Sequence, residues 1–272
     1  VIVGERMPIT FLKNNGDTFE NKTEEYGLEK STGWWFSIVA DDFDKDGDVD
    51  LVAGNLGLNY KYKADKNESF DVYANDYDKN GKLDIVLGYY HDGVQYPLRG
   101  KQCSAEQIPA IKVKYKDYNT FADASLEDVY STQDLENSLH YQVWNFASSY
   151  IENRGNEVFE IRNLPNEVQL SSINGIVAED FNADGNLDLL VAGNLYSSEV
   201  ETPRNDASYG KLLLGNGRGG FDPIPFFKSG FYLKKDTKDL AKLKTKKGVI
   251  IVSANNNNNV ELLKLENKDL NQ

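Results

Sequence analysis

Sulfur and imidazole are almost missing from this chain. Cys103 is the only cysteine in 272 residues, which excludes an internal disulfide framework and a cysteine zinc site. His91 and His140 are the only histidines, poor material for a histidine metalloenzyme or a Ser-His-Asp triad, and both read as surface or interface residues. No apolar run approaches the roughly 20 residues of a membrane span and no signal peptide opens the sequence, so the chain is not expected to span a membrane itself. Positive charge is also short. The net charge of −13 sets the chain against nucleic-acid backbones and anionic membranes, which would repel it. Apolar material is ample, since 40% hydrophobic content with 12% aromatics suffices for a real core.

The acidic residues are not scattered. Asp42-Phe43-Asp44-Lys45-Asp46-Gly47-Asp48-Val49-Asp50 places carboxylates at positions 1, 3, 5 and 9, with a glycine at position 6. The spacing returns from Asp76 to Asp84, with Asp76, Asp78, Asn80 and Asp84, and from Asp180 to Asp188, with Asp180, Asn182, Asp184 and Asp188. Alternate oxygens converge on one point only if the backbone coils around a hard cation, and Ca²⁺ takes six to eight oxygens at about 2.3–2.6 Å. The position 7 residues, Asp48, Lys82 and Asn186, are expected to contribute backbone carbonyls. An EF-hand would need a bidentate Glu at position 12 between helices. Position 12 is Ala53, Leu87 and Val191, each in a strand-like apolar run, so the EF-hand is excluded. Up to three Ca²⁺ ions are expected, the first site binding most tightly because it offers four carboxylates against three in each of the others.

Each loop joins two strand-like segments, as in Trp34 to Ala40 before the first and Leu51 to Asn55 after it. The loop starts lie 34 and then 104 residues apart, close to one and three steps of an internal repeat. A second element recurs with it: an apolar pair, Asn and Gly, then Phe, in Phe11 to Phe19, Tyr150 to Phe159 and Leu213 to Phe221. Near the end, Gly248 to Asn255 and Val260 to Leu265 read as further strands, and the Lys235 to Asp239 stretch reads as a loop that has lost its glycine and its metal. The interruption at about 104–139 reads as two or three short helices, with Pro109 in a first turn and a capping box at Ser125 to Asp128. The opening Val1-Ile2-Val3 reads as a strand already under way, as expected of a cut through a longer protein.

These loops, each followed by an apolar strand ending in Gly or Gly-Asn, resemble the FG-GAP/VCBS repeats, the Ca²⁺-loop propeller repeats also found in integrin α heads. Gly4 to Ile9, Gly33-Trp34-Trp35, Gly54 to Asn59 and Ser229-Gly230-Phe231 carry a closer similarity to the C-terminal part of large FG-GAP proteins of Bacteroidetes-type bacteria. The resemblance implies an all-β propeller of four-stranded blades, about four to five in residues 1–272 and part of a seven-bladed ring if the protein is longer, with 104–139 inserted. It also implies export to a cell surface or outer membrane, with a lipid anchor supplied by upstream sequence.

The function expected on these grounds is a non-catalytic, Ca²⁺-stabilised surface module that recognises a protein or a glycan as a subunit of a cell-envelope assembly. A polysaccharide lyase or hydrolase on the same scaffold is the alternative, although Asp123, Glu127, Glu152 and Glu157 show no spacing that singles out a pair. Trp34, Trp35, Tyr60 and Tyr62 are the speculative sugar-stacking residues, set against the heavier expectation that aromatics are buried between sheets.

Overall fold

A computed structural model describes all residues except Glu157, Val200, Glu201, Lys247 and 265–272. The chain is mostly β, and its sheets are antiparallel. It divides into two compact units, one formed by Val1–Lys61 with Phe146–Gln272 and the other by Tyr62–Asn145.

In the first unit, sheet I orders the strands Ser37–Asp41, Asp50–Gly54, Ser149–Asn153 and Phe159–Asn163. Sheet II is an unbroken meander of Gly175–Glu179, Asp188–Ala192, Lys211–Gly215 and Phe221–Ile224. Sheet III holds Thr237–Thr245, Gly248–Asn255 and Glu261–Lys264, and Leu265 falls outside the described residues. Ahead of them stand two short ladders, Glu5–Met7 with Gly33–Trp34 and Leu12–Asn14 with Phe19–Asn21.

Strand alternation explains why the sheets stack. Val52 and Tyr150 project from sheet I into a core shared with Leu189, Val191, Leu213 and Phe221 of sheet II. The intervening residues of sheet II, Val177, Leu190, Ala192 and Leu212, meet Leu240 and Ile251 of sheet III. Leu51, Ala53 and Ile151 cover the opposite face of sheet I with Ile9, Leu28 and Trp35. Period-two side chains with both faces buried are the packing of stacked propeller blades.

The ends of these strands are cut to fit. A Cβ on Gly54 would lie 2.2 Å from the Ile173 carbonyl oxygen, so only glycine allows the segment leading into sheet II to approach. The next residue fastens the approach: Asn55 Oδ1 accepts the Trp34 and Leu56 N–H groups at 3.0 and 2.8 Å, and Ile173 N–H donates to the Asn55 carbonyl at 3.0 Å. Asn194 repeats the device in sheet II, its amide donating to Ser208 and Lys235 carbonyls at 3.0 and 2.9 Å.

Two expectations change. The 34-residue step from Asp42 to Asp76 leads out of the first compact unit, because the second loop belongs to the second. That unit's residues fall between the second and third strands of sheet I, whose chain leaves and returns where Gly57 N–H meets the Phe146 carbonyl at 2.8 Å. The stretch Lys235 to Asp239 is not the counterpart of an acidic loop either. It leads into sheet III, whose first two strands are joined only by residues 246–247.

The second unit has one sheet, ordered Leu139–Val143, Phe70–Asn75, Asp84–His91 and Val94–Pro97. Five short helices follow, running from Lys101 to Glu136 and so beginning three residues before the expected insertion. They number five rather than two or three because local caps divide the stretch. Pro109 opens the second helix, Asp117 the third, the Ser125 and Asp128 capping box the fourth and Ser131 the fifth. Ile108, Ile111, Phe121, Leu126 and Tyr130 pack with Tyr73 and Val86 of the sheet. No helix among the described residues is long and apolar enough to cross a membrane.

Gly54→Ala is expected to destabilise the first unit by about 2–3 kcal/mol through overpacking against backbone. Gly100→Ala, where a Cβ meets open space, is the near-neutral control, and denaturant unfolding compares the two.

Candidate metal centres

All three acidic loops fold alike, each closing a hairpin between paired strands. Position 4 takes a left-handed backbone in each case, with φ of 66° at Lys45, 59° at Lys79 and 60° at Ala183. The glycine at position 6 does the same, which is why that position carries no side chain. Gly47, Gly81 and Gly185 N–H donate to the position 1 carboxylates of Asp42, Asp76 and Asp180 at 3.1, 2.8 and 2.9 Å. Asp48, Lys82 and Asn186 N–H donate to the position 5 oxygens of Asp46, Asn80 and Asp184 at 2.9, 2.9 and 2.7 Å. Phe43, Tyr77 and Phe181 N–H donate to Oδ2 of Asp50, Asp84 and Asp188 at 3.2, 3.0 and 2.9 Å.

Within this common frame the carboxylates gather differently. In the first loop Asp42, Asp44 and Asp46 each bring an oxygen within 4.8 Å of the others. The second loop does so with Asp76, Asp78 and Asp84. Oxygens on opposite sides of a Ca²⁺ at about 2.4 Å stand about 4.8 Å apart, so both groups have the span of one coordination sphere. The third loop has an amide at position 3, and Asn182 donates to Asp184 at 2.9 Å.

Position 9 has a second job in the first unit. Fully buried Asp50 accepts Tyr150 Oη–H at 2.7 Å and Asn153 N–H at 2.8 Å, tying the loop to the third strand of sheet I. Asp188, equally buried, accepts Gly215 N–H at 2.9 Å from the third strand of sheet II. Among the described residues Asp84 has no such tie to a third strand, and it stands in the gathered trio while Asp50 stands outside it.

This crowding has an electrostatic cost. Burial, followed by the charges of Asp184 and Asp180, pushes the Asp188 carboxyl up to about 6. Burial and then Asp50 raise Asp44, with Asp46 and Glu152 adding to it. Burial and the charges of Asp78 and Asp76 raise Asp84. Burial also works against Asp184, yet the Asn186 N–H, the Asn182 and Asn186 amides and the Lys45 ammonium hold it below the usual range. A divalent cation at each loop would offset the repulsion that raises these groups. The donor set of carboxylate and amide oxygens, with no sulfur or imidazole, suits Ca²⁺.

Two of the four candidate sugar-stacking aromatics are buried. Trp35 is buried, its indole N–H donating to the Ser31 carbonyl at 3.1 Å. Tyr62 is buried too, stacked on Phe70 at 4.5 Å. Trp34 is half-buried, with Phe146 stacked at 6.0 Å and the Arg6 guanidinium 4.9 Å from its ring centre. Tyr60 is half-buried. Among the acids outside the loops, Glu152 is engaged by Arg162 and by Arg154 at 3.1 Å, while Glu157 lies outside the described residues. His140 pairs with buried Asp71 and stacks on Tyr73 at 4.1 Å, a cluster that the sequence pattern did not signal.

Residues 1–53 match the sequence profile of the FG-GAP-like repeat, a span that includes the first acidic loop. No curated protein shows a significant match to the chain.

Calorimetry with Ca²⁺ on Asp42→Ala, Asp76→Ala and Asp180→Ala should each remove one binding event, and the event lost with Asp42→Ala should be the tightest. Equal affinities at the three sites would defeat the ranking.

Proposed function

We propose that this chain is a non-catalytic binding or scaffold module whose hairpins are held by Ca²⁺ and which works outside the cytosol, at a cell surface or outer membrane, within a cell-envelope assembly. The observation that carries this reading is the threefold recurrence of one loop geometry at the ends of antiparallel hairpins, with carboxylates gathered within one coordination sphere in two of them. FG-GAP-like repeats commonly bind calcium and typically belong to extracellular or surface-associated proteins, which supports the same location. The closer likeness to large Bacteroidetes-type surface proteins supports a bacterial envelope in particular.

Bound Ca²⁺ would supply the positive charge that the loops lack, and the chain's own residues supply the frame. Asp42, Asp44, Asp46 and Asp50 would hold the first ion, Asp76, Asp78, Asn80 and Asp84 the second, and Asp180, Asn182, Asp184 and Asp188 the third. Carbonyls of Asp48, Lys82 and Asn186 would complete the spheres, while Asp50 and Asp188 transmit order from loop to sheet. Sites with affinities of roughly 10⁻⁴–10⁻³ M fill outside the cell, where such modules operate. Glu152, one of the four acids considered for the enzymatic alternative, is engaged by two arginines.

Chelation tests the reading. A site that binds only the native state adds about 2.7 kcal/mol at a hundredfold excess of ion over Kd. EDTA should therefore lower the melting temperature by several degrees, with recovery on Ca²⁺ addition. An unchanged midpoint would remove Ca²⁺ from the account.

A further inference from the structure

Four large aromatics stand together on the first unit where the chain passes from sheet II toward sheet III. Tyr209 is 50% exposed, Phe226 50%, Phe227 74% and Tyr232 45%. Local structure explains their exposure. Phe226–Ser229 is a single helical turn ended by Gly230 at φ 71°, after which the chain alternates, with Phe231 and Leu233 turned into the core and Tyr232 and Lys234 turned out. Leu233 N–H donates to the Tyr209 carbonyl at 2.7 Å, which fixes the second tyrosine beside the first. The Tyr209 and Tyr232 rings lie 5.2 Å apart at 11°, Phe226 leans on Tyr232 at 5.7 Å, and Phe227 meets Phe226 edge-on at 5.8 Å.

Contiguous apolar surface of this kind marks an interaction site in a folded protein. Its shape and charge narrow the occupant. A sugar ring stacks on an open aromatic face, but Tyr232 has Tyr209 against one side and Phe226 leaning on it, so ring edges and the outlying Phe227 are what the patch presents. Edge-rich aromatic clusters with nearby arginine are the chemistry of protein interfaces. The surrounding charge is basic on a chain whose net charge is −13. Lys228 adjoins Phe227, and Lys234 is exposed next to Tyr232. Tyr196 Oη–H donates to the Lys234 carbonyl at 3.0 Å, and Arg204 lies 4.5 Å over the Tyr196 ring. Asp206, a carboxylate of the same connecting segment as Tyr209, is paired with Arg204 at 3.2 Å.

We infer that Tyr209, Phe226, Phe227 and Tyr232, with Lys228 and Lys234 beside them, form a docking surface for a protein segment that carries apolar side chains between acidic ones. The inference rests on the binding-module reading and gives it a place and a partner chemistry.

The test uses the whole chain with Ca²⁺ present and four probes: a short peptide with a Leu-Phe-Leu centre flanked by Glu, its counterpart flanked by Lys, a neutral oligosaccharide, and phosphatidylcholine vesicles. Wild type should bind the Glu-flanked peptide about tenfold or more tightly than the Lys-flanked one. Phe227→Ser should weaken that binding about tenfold while leaving the melting temperature unchanged, because the ring is mostly in solvent. Lys234→Glu should narrow or reverse the preference between the peptides. Equal binding of the two peptides, binding of none of the probes, binding of sugar or vesicles alone, or self-association abolished by Phe227→Ser would each overturn the proposal. The EDTA melting shift separates the two failures: with that shift intact, a negative peptide result removes the docking surface and leaves the Ca²⁺-held scaffold standing.

Discussion

Like charges held close together at the ends of hairpins are the constraint on which the rest depends. The oxygens of Asp42, Asp44 and Asp46 lie within 4.8 Å of one another, and so do those of Asp76, Asp78 and Asp84. In water such carboxylates would separate. Here the backbone forbids it, since each loop is fixed by the same N–H donors and by left-handed residues at positions 4 and 6. A proton or a cation would relieve that repulsion. An ion bound at such a loop, as proposed, would couple its binding to the order of the strands the loop joins.

That coupling has a visible route in the first unit. Asp50 and Asp188 sit at the loop exits and reach the third strands through Asn153 and Gly215. Farther along the same strands, Gly54 allows close passage of the segment into sheet II, and Asn55 and Asn194 fasten the ends. One strand thus begins at the acidic loop and ends in the joint to its neighbour. The residues that form the aromatic docking surface lie outside this frame, on connecting segments, where change costs the scaffold little.

The loops were legible in sequence because their chemistry is local: spacing, a glycine and a missing position 12 ligand are enough to separate them from an EF-hand. The strands after the loops were equally legible as apolar runs, since Leu51, Val52, Ala53, Leu189, Leu190 and Val191 are all buried. What the sequence hid was nonlocal. The spacing from Asp42 to Asp76 looked like one step of a repeat, yet the two loops lie in different compact units, because strand pairing between Asp50–Gly54 and Ser149–Asn153 spans everything between. The bracing role of position 9 was hidden for the same reason, as Tyr150 and Asn153 lie about a hundred residues from Asp50 in sequence. Tyr62 looked available for ligands in a loop-like context, and tertiary packing buried it, while Trp35 is buried as the heavier expectation for aromatics had it.

The central claim is that these loops are Ca²⁺ sites in the native protein. Equilibrium dialysis of the whole chain against roughly millimolar Ca²⁺, the range in which weak extracellular sites fill, counts the ions directly. The account predicts saturable uptake approaching three ions per chain, reduced by one in each position 1 alanine variant. Uptake of none, or uptake that the three variants leave unchanged, would contradict it.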